Sequence, residues 1–424
     1  MSGRRLDVQL ERLGQLIERV AHANSFQRER LLHASIETRE QLRSLPLTLR
    51  SELLTDQTSQ PPFGTNISYQ LERYTRVHVT SGTVGDQLRV PQTDEDWLHT
   101  RAQFALVLHH AGIGSGDRVA LPFAFGPYLQ FWAAVAGVEE IGALPIPLGG
   151  LGARERLITM AQLETTAVIC TPSYAIVLTE EAQRSGLEAA FESVHTVICQ
   201  GEPGASIAAA RGRIETAWGA RVLDHAGSTE VGVFTYPCAA GGGLHVNEDD
   251  FICEVVDPRT DAETAPGDQG EMVLTALLRT GYPLIRFRSG DIVEVGGACP
   301  AGHEHIWLPR GIVGRTDDLV VVNGMNIFPS AVEAILREVG VLGGYRIRRP
   351  DRTSQAAAAI LHPSDSDEIT VLVEMTEPAR VSRIQDLARD RLGLSINVVA
   401  VMPGTLRDTR PKTRRLQPAQ RSGA

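Results

Sequence analysis

The first twenty residues, MSGRRLDVQLERLGQLIERV, set apolar positions three and four apart among charged ones, which predicts an amphipathic helix. The rest of residues 1–60 reads as further helices with polar connections, closing at TDQTSQPPFGTN. From Tyr74 onward short apolar runs alternate with helical stretches. DRVALPFAF is a strand entering a turn, YLQFWAAVAGVEEIG a helix, and ALPIPLGG a strand ending in a glycine turn. TAVICTPSYAIVLTEEA and VHTVICQGEPG repeat the order of strand, turn and helix, so a layered α/β domain is expected. From Gly243 to Val313 the pattern turns strand-rich, with FICEVVD, GEMVLTAL and LIRFRSGDIVEV. Beyond GRTDDLVVVNG, the segments SAVEAILREVG, AAAAILH, EITVLVEM and SRIQDLARDRLG make a small α+β domain ahead of a basic tail. The expected organisation is a large N-terminal domain over 1–316 and a small C-terminal one over 317–424.

Composition narrows the function classes. A chain of 424 residues with 42% apolar content can bury more than one core. Its formal charge of −10 argues against a nucleic-acid partner. No apolar run reaches the roughly 18 residues of a membrane helix, and the amphipathic first twenty residues lack the apolar run and small-residue cleavage site expected of a secretory signal. Five sparse cysteines suit a reducing compartment. A cytoplasmic protein without a membrane partner, monomeric or homodimeric, is expected.

Several short stretches bear chemistry. Thr80, Ser81, Gly82, Thr83 and Gly85 crowd one loop after a strand-like run, as backbone N–H groups around an anion require. A plain polar turn has the same composition, and no Gly-Lys-Ser/Thr of a Walker loop follows. In DHAGSTEVG, Glu230 follows Gly227, Ser228 and Thr229 just past a strand, where a carboxylate beside hydroxyls can hold Mg²⁺. A helix N-terminus capped by Ser228 or Thr229 fits the same residues. Gly290-Asp291 ends a strand, and the carboxylate can accept both hydroxyls of a ribose or be an ordinary hairpin aspartate. Arg315, Asp317 and Asp318 stand between strand-rich and helical regions, as a hinge between domains does. Cys238 with His245, and Cys299 with His303 and His305, occupy two glycine-rich loops around one strand-rich unit. Four N/S ligands from two such loops make a structural Zn²⁺ site. Cys170, Cys199 and Cys253 lie in strand patterns and read as core.

In order along the chain, the Thr/Ser/Gly loop, Gly201-Glu202-Pro203, Gly-Ser-Thr-Glu, Gly-Asp and GRTDDLVVVNGMNIFPSAVE resemble the acyl- and aryl-adenylating superfamily. More closely, they resemble its phenylacetate–CoA ligase-like branch. The resemblance covers nearly the whole chain. It implies an α/β adenylate-forming fold with a mobile C-terminal domain and a two-step reaction. A carboxylic acid, aromatic in this branch, is first activated by MgATP as its acyl-adenylate. The acyl group then passes to CoA or another thiol. Carried over by position, Thr80 to Gly85 wrap the β- and γ-phosphates and Gly201, Glu202 and Pro203 border the adenine. Asp224, His225, Ala226, Gly227 and Ser228 line the nucleotide. Thr229 and Glu230 hold Mg²⁺, Asp291 binds the ribose, and Arg315 reaches the nucleotide. Asp317 is the hinge, and Lys412 is the catalytic lysine that bridges carboxylate and α-phosphate. Phe125, Tyr128, Gly149 and Ala226 line the acid pocket. The branch also has Cys and His in the first metal loop and Cys-Pro-Cys in the second. Ala301 replaces the second of those cysteines, which leaves Cys238, His245, Cys299 and His303 (or, in its place, His305) as the Zn²⁺ set, or a relic site without metal.

Besides Ala301, the sequence departs from the branch at three places. Asp86 stands where the phosphate loop carries lysine, with Arg89 three positions on. Ala226 replaces an adenine-stacking tyrosine, and Asn323 precedes Gly324 where a basic residue is common. These leave open an acceptor other than CoA, such as an amine or a carrier protein, or an inactive nucleotide-binding paralogue.

Overall fold

The computed structural model describes residues 3–31, 34–80, 87–239, 242–316, 320–322, 325–327, 329–341, 344–348, 369–377, 379–392, 396–406 and 416–417. The chain divides into two compact units, Met1–Ile312 and Val313–Ala424, a few residues ahead of the 316/317 boundary expected from the sequence.

The first unit opens with helices α1 (Gly3–Ala23), α2 (Ser25–Leu31), α3 (Arg39–Ser44) and α4 (Arg50–Ser59). The apolar stripe of α1, Leu10, Leu13, Leu16, Ile17 and Val20, is buried with Ile252, Leu277 and Ile285. Strands β1 (Tyr74–Val79) and β2 (Arg89–Thr93) then pair antiparallel, Val79 opposite Arg89. Helix α5 (Asp94–His110) begins at a capping box: Thr93 Oγ1 accepts from Asp96 N at 3.1 Å and Asp96 Oδ2 accepts from Thr93 N at 3.0 Å. Its acids lie in the first turn and its histidines in the last, as the helix dipole favours.

Strand and helix now alternate as the pattern predicts: β3 (Arg118–Leu121), α6 (Leu129–Glu140), β4 (Leu144–Pro147), α7 (Ala153–Gln162), β5 (Ala167–Cys170), α8 (Pro172–Ser185), β6 (Thr196–Gln200), α9 (Ala208–Trp218) and β7 (Arg221–His225). The five strands form a parallel sheet in the order β4-β3-β5-β6-β7. Every residue of β5 and β6 is buried, as a parallel strand covered on both faces must be. Helices α5 and α6 cover one face through Phe104, Val107, Ala133 and Val138. Helices α7, α8 and α9 cover the other through Leu157, Leu178 and Ile214. The chain leaves β3 towards β4 and resumes on the other side at β5. The crevice outside the carboxyl ends of β3 and β5 is therefore the place where such a sheet binds ligands.

The strand-rich part contains two antiparallel assemblies. Strands β8 (Thr235–Pro237) and β9 (Leu244–Val246) pair with each other, and β9 pairs with β13 (Trp307–Leu308). Strands β10 (Phe251–Val256), β11 (Gln269–Ala276) and β12 (Phe287–Glu294) form a meander. The unit boundary falls in β14 (Ile312–Arg315).

In the second unit β15 (Val320–Val322) and β16 (Met325–Ile327) form a hairpin, followed by α10 (Pro329–Glu338). Strands β17 (Tyr345–Arg348), β18 (Ile369–Glu374), β19 (Ile396–Val401) and β20 (Leu416–Gln417) form a mixed sheet in the order β19-β18-β17-β20. With α10 and α11 (Arg380–Leu392) it encloses Val332, Ile335, Ile347, Val371, Ile384 and Val398. The segment AAAAILH lies outside the described residues. Among the described residues, no helix is long and apolar enough to cross a membrane.

Helices α5 and α6 cross closely beside the parallel sheet. A Cβ at Gly137 would lie 2.8 Å from Phe104 Cβ and 3.1 Å from its carbonyl carbon, so one neighbour is backbone and cannot yield. Gly137→Ala is expected to cost about 1–3 kcal/mol, as overpacking does, read as a lower midpoint in urea unfolding. An unchanged midpoint would mean that the crossing is looser than these distances.

Candidate active site

At the carboxyl edge of the sheet, the Thr80 loop is pinched at its base. Thr80 N donates to Leu88 O at 3.0 Å, and Leu88 N donates to Thr80 Oγ1 at 3.0 Å. Ser81, Gly82, Thr83, Gly85 and Asp86 lie outside the described residues, as do Asp317, Asn323, Gly324 and Lys412. Arg315 closes β14.

Beyond β6, Gly201 adopts φ 90°, a left-handed geometry suited to glycine. The Glu202 carboxylate accepts from Ser173 N at 2.8 Å, at the start of α8. This α8 terminus is also capped by Thr171, whose Oγ1 accepts from Tyr174 N at 3.2 Å. Parallel pairing sets Cys199 opposite Asp224 and Gln200 opposite His225, so the two loops that follow emerge side by side.

The segment after β7 is a turn. Ser228 and Gly232 exchange backbone hydrogen bonds at 2.9 Å, and Ser228 Oγ accepts from Val231 N at 3.1 Å. The alternative of a helix N-terminus at Ser228 or Thr229 is thereby removed, because the chain closes on itself and enters β8 instead. Thr235 Oγ1 ties the turn back, accepting from Ala226 N at 2.9 Å and donating to Ala226 O at 2.8 Å. Gln130 of α6 reaches across to Ser228 O and Gly232 O.

Glu230 projects from this turn. Its carboxylate lies 3.5 Å from Arg50 Nε, and Arg50 Nη2 donates to Thr80 Oγ1 at 3.1 Å. Its backbone carbonyl accepts from Arg279 Nη1 at 2.7 Å. Arg279 is buried, and its Nε and Nη2 make no hydrogen bond among the described residues. Neither arginine stood out in the sequence: each is far from Glu230 along the chain and lies in no motif that signals phosphate.

Burial tunes the groups behind the turn. It pushes Asp224 up to about 6, against hydrogen bonds from Ser206 Oγ and His225 N. It pushes His225 down to about 4. His78, stacked on Trp97 at 5.7 Å, is also lowered to about 4, by burial first and then by Arg279.

Asp291 corrects the sequence reading. Gly290-Asp291 do not end a strand: β12 continues to Glu294. The ladder slips between Glu271 and Val273, so Ser289, Gly290 and Asp291 form an irregularity inside the strand, with Gly290 at φ 76°. A bulge of this kind re-aims a side chain from the face that alternation assigns it.

Phe123, Phe125, Phe131 and Trp132 make an aromatic wall beside the turn. Phe123 stacks on Phe131 at 4.5 Å, and Phe125 meets Trp132 edge-on at 5.4 Å. Tyr128 meets Phe131 edge-on at 5.7 Å. Phe125 has φ 48°, and a Cβ at Gly149 would lie 2.7 Å from its ring. Val79 N donates to Pro127 O at 2.7 Å, which joins this loop to the strand entering the Thr80 loop.

Apart from that crevice, the β13-β9-β8 sheet gathers the metal-ligating types. Ligand atoms of Cys238, His245 and Cys299 lie within 4.8 Å of one another, all three residues buried. The two sulfurs are 3.6 Å apart, close to the roughly 3.8 Å that two thiolates span on a tetrahedral zinc. His245 Nδ1 faces His305 O at 3.2 Å, which leaves the buried Nε2 without a hydrogen-bond partner among the described residues. This is how a histidine ligand is oriented by its outer partner. Of the two fourth-ligand candidates, His303 has its ring 4.8 Å from that of His245. His305 is engaged instead with the Tyr236 hydroxyl at 2.9 Å and Asp249 at 3.7 Å. Cys170, Cys199 and Cys253 are buried core thiols.

The chain is 28% identical over 429 residues to the phenylacetate-coenzyme A ligase of Thermus thermophilus, covering 94% of this chain and 92% of that protein. It is 29% identical to the Escherichia coli phenylacetate-coenzyme A ligase over 69% of this chain and 65% of that one. Among solved structures, 2-hydroxyisobutyryl-CoA ligase in its postadenylation state, bound to an acyl-AMP, superposes with a TM-score of 0.89 at 27% identity, covering 99% and 91% of the two chains. Anthranilate CoA ligase, at 17% identity and a TM-score of 0.57, shares the fold. No family model matches the chain.

Two buried neutral histidines have a measurable consequence. Their folded values near 4 lie below the ordinary 6.5, so acid protonates the unfolded chain first. Their contribution is therefore present above about pH 6.5 and is lost as pH falls towards 4. Each removes about 2 kcal/mol between pH 7 and pH 5. In urea unfolding at the two pH values, a His78→Gln, His225→Gln double variant is expected to lose less stability than wild type. Equal losses would refute the assignment.

Proposed function

From its membership of the phenylacetate–CoA ligase-like branch of the adenylate-forming superfamily, we propose that this chain activates an aromatic carboxylic acid with ATP and transfers it to coenzyme A. In the first step a carboxylate oxygen attacks the α-phosphorus, the α–β bridging bond breaks, and pyrophosphate leaves. In the second the CoA sulfur attacks the acyl carbon, the C–S bond forms, and AMP departs with the bond electrons. The observation that supports this reading best is the joining of Glu230, in the turn beyond the carboxyl end of β7, to Thr80 through Arg50. A phosphate-loop residue and a metal-type carboxylate from distant segments are thereby joined on the carboxyl side of the sheet, the side on which such sheets bind nucleotides.

Each group has a stated task. Glu230, with Thr229, would hold Mg²⁺, which neutralises phosphate charge as the leaving group departs. Backbone and hydroxyl groups of Thr80, Ser81, Gly82, Thr83 and Gly85 would wrap the β- and γ-phosphates. The turns at Gly201-Glu202-Pro203 and at Asp224 to Ser228 would flank the adenine and Asp291 would take the ribose. Ala226 in place of a large ring leaves the adenine face open. Phe125, Tyr128 and Gly149 would face the acid, and an aromatic wall without charge suits a planar apolar acyl group. Arg315 and Asp317 would serve the nucleotide and the hinge. Lys412 would bring its mobile point charge to carboxylate and α-phosphate together.

The Cys238, His245 and Cys299 cluster would hold a structural Zn²⁺, with His303 as the fourth ligand. The His245 Nε2, without a hydrogen-bond partner among the described residues, and the sulfur separation support it. Such a metal closes the strand-rich unit and takes no part in the chemistry.

With a panel of aryl acids, ATP–pyrophosphate exchange and CoA consumption are expected for at least one acid. No exchange with any acid would overturn the ligase reading, and exchange without CoA consumption would overturn its second step. Lys412→Ala is expected to abolish exchange while a preformed adenylate is still converted; exchange near the wild-type rate would refute the assignment. Protein purified without chelator should contain about one Zn²⁺ per chain, and Cys238→Ser close to none. A wild-type content near zero would overturn the zinc site.

A further inference from the structure

The Thr80 loop poses a charge problem. From Thr80 to Leu88 the sequence TSGTVGDQL contains no lysine or arginine and does contain Asp86. Backbone N–H groups and hydroxyls can shape a phosphate cradle, but they do not neutralise a triphosphate. A cation must come from another part of the chain.

We propose that Arg50, at the start of α4, is that cation: it takes the β- and γ-phosphates of ATP, and the pyrophosphate they become. This inference rests on the ligase reading for its nucleotide and adds a phosphate-binding residue to it. Three observations converge on Arg50. Its guanidinium lies between the two sides of the crevice, Nη2 on Thr80 Oγ1 at 3.1 Å and Nε on Glu230 Oε1 at 3.5 Å. It occupies the first position of a helix, where the dipole disfavours a cation, so the helix does not account for the arginine. Leu49 supplies no side-chain cap, and Glu52 Oε2 accepts from Leu49 N at 2.7 Å, so the terminus is built without help from Arg50.

The contact with Glu230 gives the site a defined resting state. Arg50 and Glu230 pair across the crevice, with side chains about a third and a seventh exposed. A divalent cation arriving at Glu230 competes for the same carboxylate and repels the guanidinium. The triphosphate brings more negative charge than the cation removes, and its oxygens accept the planar N–H fork in place of the carboxylate. Arg50 thus exchanges one anionic partner for another and is never left unpaired.

The test compares ATP with AMP, which lacks the β- and γ-phosphates. By calorimetry, Arg50→Ala is expected to weaken ATP binding about tenfold or more, as loss of a charge-assisted hydrogen bond does, and AMP binding by less than about twofold. The KM for pyrophosphate in exchange should rise in parallel, and Arg50→Lys should restore most of both effects. Should the alanine variant not fold, Arg50→Gln, which keeps most of the stem, carries the same comparison. Equal weakening of ATP and AMP would make Arg50 a structural tie for Thr80 and overturn the proposal. Unchanged ATP binding would overturn it as well. A wild-type protein that binds ATP but exchanges no pyrophosphate with any acid would overturn the ligase reading alone, and the ATP-to-AMP ratio would still decide Arg50.

Discussion

The parallel pairing of β6 with β7 is the constraint on which the crevice depends. Gln200 lies opposite His225, so the turn at Gly201 and the turn at Glu230 leave the sheet from the same edge and at the same level. β6 is buried along its whole length and β7 buries Val222 and Leu223 between Arg221 and Asp224, so a slip of one residue would carry polar groups into the core. Register at the site is thus enforced by the buried residues of β6 and β7. Gln130 and Thr235 then fix the Glu230 turn from either side, one from α6 and one from β8.

Polar groups are buried behind that turn at a cost to the fold. Arg279 sits deep, with two nitrogens that make no hydrogen bond among the described residues, and burial, which disfavours charge, raises Asp224 and lowers His225 and Arg279. A core built for stability alone would place apolar residues there. The hydrogen bond from Arg279 to the carbonyl of Glu230 indicates what the arrangement secures: the backbone of the turn is held from below, so its carboxylate can face the crevice.

Much of this was legible in the sequence, and what was missed has physical causes. The alternation of strand and helix and the continuous apolar runs of β5 and β6 are local signals, and the fold reproduces them; of the Cys/His set it gathers Cys238, His245 and Cys299. The Gly290-Asp291 pair looked like a strand end because glycine and aspartate are turn residues. A glycine with positive φ inside a strand has the same composition, and only pairing with β11 shows the slip. Ser228-Thr229-Glu230 fits a helix start and a tight turn equally well until the bridge to Gly232 is seen. Between His303 and His305 spacing could not choose; the Tyr236 hydroxyl, which engages His305, arrives from another strand.

Arg50 was the least visible of all, and for a reason that bears on the design of the crevice. A lysine within a phosphate loop is a long flexible chain that must be ordered at each binding event, at an entropic cost. An arginine on the first turn of a helix has its backbone already fixed, and its fork needs only a small rotation between carboxylate and phosphate. The loop itself is then free to be made of small residues, whose backbone can approach an anion closely. Separating the two tasks puts charge on the helical N-terminal segment and shape on the loop. It also makes that N-terminal segment part of the crevice: Leu53 of α4 is buried in one core cluster with Leu88 and Val90, where the chain leaves the loop. Shape and charge therefore move together, because a shift of α4 would displace the cation and the base of the loop by the same core contacts.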